Sequence, residues 1–198
     1  MIGPGRQGRG RGMCWGELTM LAARLRSGET IGDRILKVDH AGEHGAICIY
    51  RTQRWISRWR TPSLVAELDH YLLHETRHRA LFAAELQRRG RRRCRSYHFC
   101  GLGGMMLGLL TGIVGAQAIS ATTVAVEKVV LRHLAEQEQQ LASVDFAAAA
   151  VVREIIEDER NHHDSAEIGL DRRNPWARIV EPVVAASTEA VIWLGMKL

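Results

Sequence analysis

The sequence contains two copies of one pattern built from glutamate and histidine, and this repeat restricts the possible folds more than any other feature. In each copy, a glutamate is followed 32 positions later by Glu-x-x-His. The members are Glu43, Glu75 and His78 in the first copy, and Glu127, Glu159 and His162 in the second. Each residue of the second copy lies 84 positions after its counterpart. A lone Glu-x-x-His arises by chance on many helices, but six residues in one register predict a shared site.

Helix geometry turns these spacings into an architecture. Residues three positions apart share a helix face, and about 32 residues separate the middles of two antiparallel helices joined by a short turn. Four carboxylates in a core are prohibitively costly unless they are paired or coordinate metal ions. One Glu from each of two helices and Glu-x-x-His from each of the other two is the ligand set of ferritin-like di-iron carboxylate proteins. We therefore predict an all-α, ferritin-like four-helix bundle of two helical hairpins, with two iron or manganese ions.

The remaining chain organisation follows from composition. We expect residues 1–30, which begin Gly/Arg-rich, to form a flexible arm, with an organelle transit segment as the less favoured interpretation. Residues 31–198 suit a single ferritin-like domain. The first bundle helix is predicted to start after Thr30, and the second to span 63–89 with Ser63 as its N-cap. The four cysteines form no Cys-x-x-Cys pair, which favours a reducing compartment.

An arginine-rich segment precedes a long uncharged stretch. Six arginines lie within residues 88–95, and residues 99–126 carry no charge. The stretch is long enough to span a bilayer, but it runs directly into Glu127, which must reach the bundle centre. We therefore expect residues 99–115 to lie in one leaflet, with the arginines at anionic headgroups, followed by a third bundle helix over 116–141. A last helix over 176–198 is expected to pack on the bundle. The net charge of +5 suggests an anionic partner, yet no nucleic-acid motif is present, so nucleic acid is not expected.

Four separated segments resemble, in order, the demethoxyubiquinone hydroxylase family of ubiquinone biosynthesis. They are Asp39 to Glu43, the pair Glu75 and His78, Thr123 to Glu127, and Glu159 to Asp164. The resemblance covers about residues 33–170. It implies a membrane-associated di-iron monooxygenase that hydroxylates the ring of a polyprenylated methoxy-benzoquinol, using O2 and electrons derived from NADH. It also implies a peripheral location on the inner face of a bacterial cell membrane, or on the matrix side of the mitochondrial inner membrane, and protein partners from ubiquinone biosynthesis.

The resemblance assigns roles to particular residues. It makes all six repeat residues metal ligands, with Glu75 and Glu159 as bridging carboxylates. Arg34 and His133 match family positions and are predicted to support the site from behind the ligands. Where eukaryotic members often have His-Tyr, this chain has His133 followed by Leu134, so a role for that tyrosine does not transfer.

Three other functions remain open from the sequence. A ferritin-like quinol oxidase would reduce O2 without hydroxylating the quinol. An iron-storage protein would use the same ligands but has no need of the uncharged stretch over residues 99–126. A lipid-binding protein could keep the metal site only as a structural element.

Overall fold

Six α-helices make up the part of the chain that the computed structural model describes, residues 23–198. Their bounds are α1 Ile31–Arg60, α2 Val65–Arg88, α3 Tyr97–Val114, α4 Ala116–Leu141, α5 Phe146–Ile168 and α6 Pro175–Lys197. A short 3-10 turn, Pro62–Leu64, precedes α2. The prediction of an all-α fold is confirmed.

Helices α1, α2, α4 and α5 form the bundle as two hairpins, α1 with α2 and α4 with α5. Side-chain hydrogen bonds join Asp39 to Gln137 and Tyr50 to Glu127, so α1 and α4 run antiparallel. Helix α1 starts directly after Thr30, as predicted, and Thr30 caps it, because its hydroxyl accepts from the amide of Asp33. The predicted N-cap of α2 was wrong: Ser63 lies inside the 3-10 turn, because the proline before it starts that turn first.

Helix α3 carries the apolar segment that we predicted for residues 99–115, and it packs along α1 through glycines. A Cβ atom at Gly104 would lie 2.2 Å from the carbonyl oxygen of Gly45, and one at Gly108 would lie 2.5 Å from that of Ile49. Glycines four positions apart let two helix backbones approach closely. The glycine face therefore holds α3 on the bundle.

The opposite face of α3 and much of α6 carry exposed apolar side chains. The larger ones are Phe99, Leu102, Met105, Met106, Leu110 and Ile113 on α3, and Trp176, Ile179, Val183 and Trp193 on α6. By length and composition alone, each of the two helices could cross a membrane. Helix α6 packs on α4, as predicted for the last helix, so the two apolar helices flank the same side of the bundle.

The segment just before α1 is tied to the bundle. Its Glu29 is buried and forms ion pairs with Arg34 and Lys37, both at 2.7 Å, and the amide of Arg24 donates to the carbonyl of Met196. Residues 23–30 belong to the arm that we predicted to be flexible, and these contacts place them against α1 and α6. The rest of that arm, residues 1–22, lies outside the described residues.

The arginine-rich segment divides into two parts. Arg89 pairs with Glu85 on its own helix and with Asp145 at the start of α5, while Arg91 pairs with Asp33. These arginines therefore join the end of the bundle. Those that stay exposed, and form no ion pair within residues 23–198, are Arg92, Arg93 and Arg95.

Candidate metal centre

The six side chains of the repeat meet in the middle of the bundle. Two groups of four have ligand atoms within 4.8 Å of one another. One group is Glu43, Glu75, His78 and Glu159, and the other is Glu75, Glu127, Glu159 and His162. All six are buried, and Glu75 and Glu159 belong to both groups. The structure thus brings together every residue that the repeat predicted, and it puts the two predicted bridging carboxylates in the shared positions.

The imidazole of His78 faces the cluster with one nitrogen and contacts Asp158, outside the cluster, with the other. Nδ1 lies 2.8 Å from Oε1 of Glu159 and 3.8 Å from Oε2 of Glu43. Nε2 donates a hydrogen bond of 3.0 Å to Oδ2 of Asp158, which also pairs with Arg77. The ring orientation is therefore fixed from outside the cluster, as is usual for metal-binding histidines.

His162 is held in the same way. Its Nδ1 lies 3.4 Å from Oε1 of Glu75 and 3.5 Å from Oε2 of Glu159. Its Nε2 lies 3.2 Å from Nδ1 of His74, one turn before His78 on α2. Both imidazoles therefore present Nδ1 to the carboxylates and use Nε2 for support.

Burial and crowding shift the pKa values of the cluster in opposite directions. Burial, followed by the nearby carboxylates, raises the pKa of Glu43 and that of Glu127 well above the ordinary range. Burial also raises the pKa of Glu159, but contacts with His162 and His78 outweigh it and hold that pKa low. Burial lowers the pKa of His162, but the carboxylates of Glu159 and Glu75 outweigh burial and raise this pKa to about 9. Without cations, protons balance the negative charge.

The cluster fits a pair of metal ions. Four of its atoms are buried without a well-aligned hydrogen bond in the described chain, although carboxylate oxygens lie near both imidazoles: Oε1 of Glu75, Oε2 of Glu159 and Nδ1 of both histidines. Unpaired buried polar atoms are rare in folded proteins and indicate a missing partner. Carboxylates with one imidazole per ion suit iron or manganese, whereas structural zinc sites usually include thiolates. These six side chains could therefore hold two such ions.

Tyr50 completes the inner surface of the cluster. Its hydroxyl donates to Oε1 of Glu127, from two turns beyond Glu43 on α1. Burial, and then the charge of Glu127, raise the pKa of Tyr50 well above its ordinary value, so the phenol keeps its proton. The hydroxyl therefore acts as a fixed donor to one oxygen of Glu127, leaving the other oxygen for the cluster.

A cavity of about 350 Å3 opens beside the cluster, between α1, α3, α4 and α6. Four of the clustered glutamates reach its wall: Glu43, Glu75, Glu127 and Glu159. Most of the remaining lining is apolar and includes Ile49, Phe99, Leu107, Leu110, Val126 and Ile192. This size and lining are typical of small-molecule sites. The cavity lies on the side of the bundle where α3 and α6 expose their apolar faces.

A few polar groups interrupt the apolar lining at one end. The amide of Gln137 donates to Oδ1 of Asp39, while Oδ2 of Asp39 is buried without a partner. Burial raises the pKa of Asp39 to about 7, against the opposing hydrogen bond from Gln137. Asp39 lies one turn, or about 6 Å, before Glu43 on α1. A ligand in the cavity would therefore meet the metal cluster and this polar pair together.

The two residues predicted to support the site have different positions. His133 lines the cavity, and its Nε2 lies 3.0 Å from Oε2 of Glu189 on α6. Arg34 lies nine residues before Glu43 on α1, about 13 Å along the helix axis. Its guanidinium binds Glu29 and the carbonyl oxygens of Arg24 and Gly195, so Arg34 joins the N-terminal segment to α6 rather than supporting the centre.

Comparison with known proteins agrees with this architecture. A family model described as ubiquinone biosynthesis protein COQ7 matches residues 30–195. The chain belongs to the COQ7 family. The match contains the whole of α1 to α5 and all six clustered residues. The family resemblance found in the sequence is thereby confirmed.

Curated COQ7 relatives come from bacteria and eukaryotes. A 3-demethoxyubiquinol 3-hydroxylase from Rhodospirillum rubrum is 28% identical over 166 residues, covering 84% of this chain and 78% of the relative. The NADPH-dependent 3-demethoxyubiquinone 3-hydroxylase, mitochondrial, from Dictyostelium discoideum is 28% identical over 173 residues, covering 84% and 77%. The mouse protein of the same name is 29% identical over 172 residues, covering 82% and 76%.

Sequence reasoning missed two residues that contact the COQ7 cluster from outside: Tyr50 and Asp158. The position of Tyr50 offered a partial signal, because it follows Glu43 by seven residues, a spacing that shares a helix face. Asp158 offered none, since it is adjacent to Glu159. Leu134, at the position where eukaryotic members often have tyrosine, is buried against the core and lines the cavity.

Proposed function

We propose that this COQ7 protein is a di-iron monooxygenase that hydroxylates the ring of a polyprenylated methoxy-benzoquinol, demethoxyubiquinol, in ubiquinone biosynthesis. The observation that carries the proposal is the junction of two elements. Two buried ligand groups share Glu75 and Glu159, and the apolar cavity opens onto all four glutamates of these groups. The choice of demethoxyubiquinol as the substrate follows from the relatives named as 3-demethoxyubiquinol 3-hydroxylases.

The ligands divide between two ions by their grouping. Glu43 and His78 would bind one ion, Glu127 and His162 would bind the other, and Glu75 and Glu159 would bridge the pair. A ferrous pair bound here would supply electrons and open coordination positions for activating O2. Asp158 and His74 keep the two imidazoles oriented with Nδ1 inward, and Tyr50 keeps Glu127 in place through its hydroxyl.

The cavity supports the choice of a quinol as substrate. An aromatic ring gains from burial against Ile49, Leu107 and the other apolar lining residues. The polar substituents of the ring would bind at Asp39 and Gln137. Oδ2 of Asp39 and Oε1 of Gln137 have no hydrogen-bond partner among the described residues. With a pKa near 7, the Asp39 carboxyl can either donate to or accept from a ring oxygen at neutral pH. The apolar walls also keep bulk water away from the reacting carbon.

The polyprenyl tail explains the exposed apolar helices. A long isoprenoid chain does not leave lipid readily, so the ring must enter the protein while the tail stays in the bilayer. Helices α3 and α6 both line the cavity and expose apolar side chains on the outside. We propose that these faces lie in one leaflet of a membrane, with the exposed arginines, Arg92, Arg93 and Arg95, near anionic headgroups. The membrane would be the bacterial cell membrane at its inner face, or the mitochondrial inner membrane at its matrix side in a eukaryote.

The electrons would come from a reduced nicotinamide nucleotide, NADH or NADPH. The relatives from Dictyostelium discoideum and mouse carry NADPH in their names. The sequence has one Gly-x-Gly-x-x-Gly pattern, residues 3–8, which lies in the arm predicted to be flexible and not between a strand and a helix. We therefore propose that the electrons reach the metals without a dedicated nucleotide-binding fold in this chain. Other proteins of ubiquinone biosynthesis are candidate partners for delivering the quinol.

Hydroxylation of a short-chain demethoxyubiquinol tests the proposal. Purified chain would be loaded with Fe2+ and supplied with NADH or NADPH and 18O2, and the quinone product would be analysed by mass spectrometry. We expect incorporation of one labelled oxygen atom. Glu159→Gln should remove this activity, while Glu157→Gln, an exposed glutamate on the same helix, should retain it.

The alternatives give different results in the same assay. Consumption of O2 with an unmodified quinone ring would identify a quinol oxidase. Oxidation of added iron that does not depend on quinone would identify iron storage. Equal product from Glu159→Gln and wild type would show that the hydroxylation does not use this centre.

A further inference from the structure

A third group of metal-binding side chains lies next to the proposed di-iron centre. His70 and His74 are one turn apart on α2, and His162 faces them from α5. One ligand atom from each lies within 4.8 Å of the others, a spacing that could hold a metal ion. The ring centroids of His70 and His74 are 4.2 Å apart, and those of His74 and His162 are 5.2 Å apart. The proposed catalytic ligand set uses neither His70 nor His74.

The chemistry of this histidine trio suits borderline transition metals. Imidazole nitrogens are favoured by Zn2+, Fe2+, Co2+ and Ni2+, whereas Mg2+ and Ca2+ prefer oxygen ligands. Two histidines one helical turn apart are a common pair of zinc ligands, and three histidines form complete protein ligand sets. Asp158 adds a nearby negative charge, since its Oδ1 lies 3.7 Å from Nδ1 of His74.

The trio also extends from the surface to the buried cluster. His70 is exposed, His74 is partly buried and His162 is fully buried. His162 belongs to both the trio and the cluster. Its Nε2 faces His74 in the trio, and its Nδ1 faces Glu75 and Glu159 in the cluster. An ion held by the trio would therefore lie one imidazole ring away from the centre.

We propose that His70, His74 and Nε2 of His162 form an accessory transition-metal site, which takes up Fe2+ from solution before the ion enters the centre. The existence of the site depends only on the geometry of the trio. Its role in loading rests on the proposed di-iron function, because that function supplies the destination of the ion.

Metal stoichiometry tests the site. Tag-free full-length protein would be stripped with a chelator, dialysed against Zn2+ at pH 8, where histidine ligands have lost competing protons, and analysed by elemental mass spectrometry. We expect His70→Ala to retain one ion per chain fewer than wild type. His98→Ala removes an exposed histidine from α3 instead and should match wild type.

The possible results separate the two proposals. If wild type and His70→Ala both retain two ions per chain, the accessory site is overturned and the di-metal centre stands. If wild type retains no ion, both are overturned. If His98→Ala loses as much zinc as His70→Ala, the lost ion is bound nonspecifically by surface histidines, which also overturns the accessory site.

Loading kinetics test the role of the site. Uptake of limiting Co2+ by the stripped protein would be followed by stopped-flow absorption. His70→Ala should take up the ion at least about fivefold more slowly and reach the same final occupancy of the centre. Equal uptake rates in wild type and His70→Ala would overturn the loading role.

Discussion

The side chains of His78 and Asp158 meet across the bundle, with Nε2 of the imidazole 3.0 Å from Oδ2 of the carboxylate. The two residues are 80 positions apart in sequence, and one belongs to each half of the repeat. This contact leaves Nδ1 of His78 facing Glu159. Asp158 therefore determines how His78 presents itself to the centre, although it is not a member of either four-residue ligand group.

Asp158→Ala should weaken metal binding without unfolding the chain. Loss of a carboxylate that orients a histidine ligand commonly lowers metal affinity by about 10–100-fold. The affinity would be measured by competition with a chromogenic chelator, and the fold by circular dichroism. Glu154→Gln, one turn earlier on α5 and also paired with Arg77 at the surface, should bind metal as wild type does. Equal losses in both variants would show that the general surface charge, and not the contact with His78, matters.

Tyr50→Phe should destabilise the metal-free protein more than the metal-loaded protein. Without the hydroxyl, a buried oxygen of Glu127 loses its donor, which costs about 1–3 kcal/mol of unfolding free energy. A bound cation would satisfy that carboxylate and reduce the loss. Urea unfolding of wild type and Tyr50→Phe, each with and without metal, measures the loss of unfolding free energy in the two states. An equal cost in the two states would contradict this account of Tyr50.

Two neighbouring glycines on α3 should respond in opposite ways to alanine. At Gly104 the new methyl group would collide with the backbone of Gly45, so Gly104→Ala should lower the unfolding free energy by about 1–3 kcal/mol. At Gly103 a Cβ atom meets nothing within 4 Å, and alanine favours helix by about 0.5–1 kcal/mol. Thermal or urea unfolding of the pair tests the packing of α3 on α1. Similar stabilities would indicate that α3 does not lie against α1 in this way.

The ion pair between Glu29 and Arg34 should make stability depend on pH in the acidic range. Burial opposes ionisation of Glu29, but hydrogen bonds from Lys37, the Arg26 amide and Arg34 lower its pKa from 4.5 to about 2. A lowered carboxylate pKa stabilises the fold above the ordinary pKa, and this contribution disappears as pH falls from 4.5 toward 2.

Glu29→Gln should therefore cost about 2–3 kcal/mol at pH 7 and progressively less below pH 4.5. Urea unfolding of wild type and variant across this range provides the test. Glu157→Gln, an exposed glutamate, serves as the control. A difference between wild type and Glu29→Gln that stays constant down to pH 3 would refute the role of the buried charge.

A negative charge on the exposed face of α3 should weaken membrane binding. Leu102 is 56% exposed and does not line the cavity, so Leu102→Glu leaves the cavity intact. Loss of one buried leucine at a membrane corresponds to about 1.5–3 kcal/mol, or roughly a tenfold or larger fall in binding to vesicles with anionic lipid. Sedimentation with vesicles measures the change. Val144→Glu, at an exposed apolar residue between α4 and α5, should bind as wild type, and a matching fall in both variants would argue against α3 as the membrane face.

The sequence by itself determined the helical bundle and the six clustered residues. Helix geometry converts a spacing of three into a shared face and a spacing of 32 into an opposed pair, so the repeat contained the essential geometry. The bounds of α4 and the presence of a separate apolar segment before it also followed from local patterns. That the six residues bind iron remains a prediction, which the assay with Glu159→Gln addresses.

Only the tertiary structure decided how those residues are held and what lies beside them. Tyr50 and Glu127 are 77 positions apart, and no local spacing indicates that their side chains meet. The family position of Arg34 suggested a place near the metals, whereas packing of the N-terminal segment and α6 around its guanidinium assigned it to the far end of α1. The cavity likewise exists because glycines bring α3 close to α1 while α6 packs on α4. Contacts between distant segments depend on the packing of whole helices, and periodicity within one helix does not record that packing.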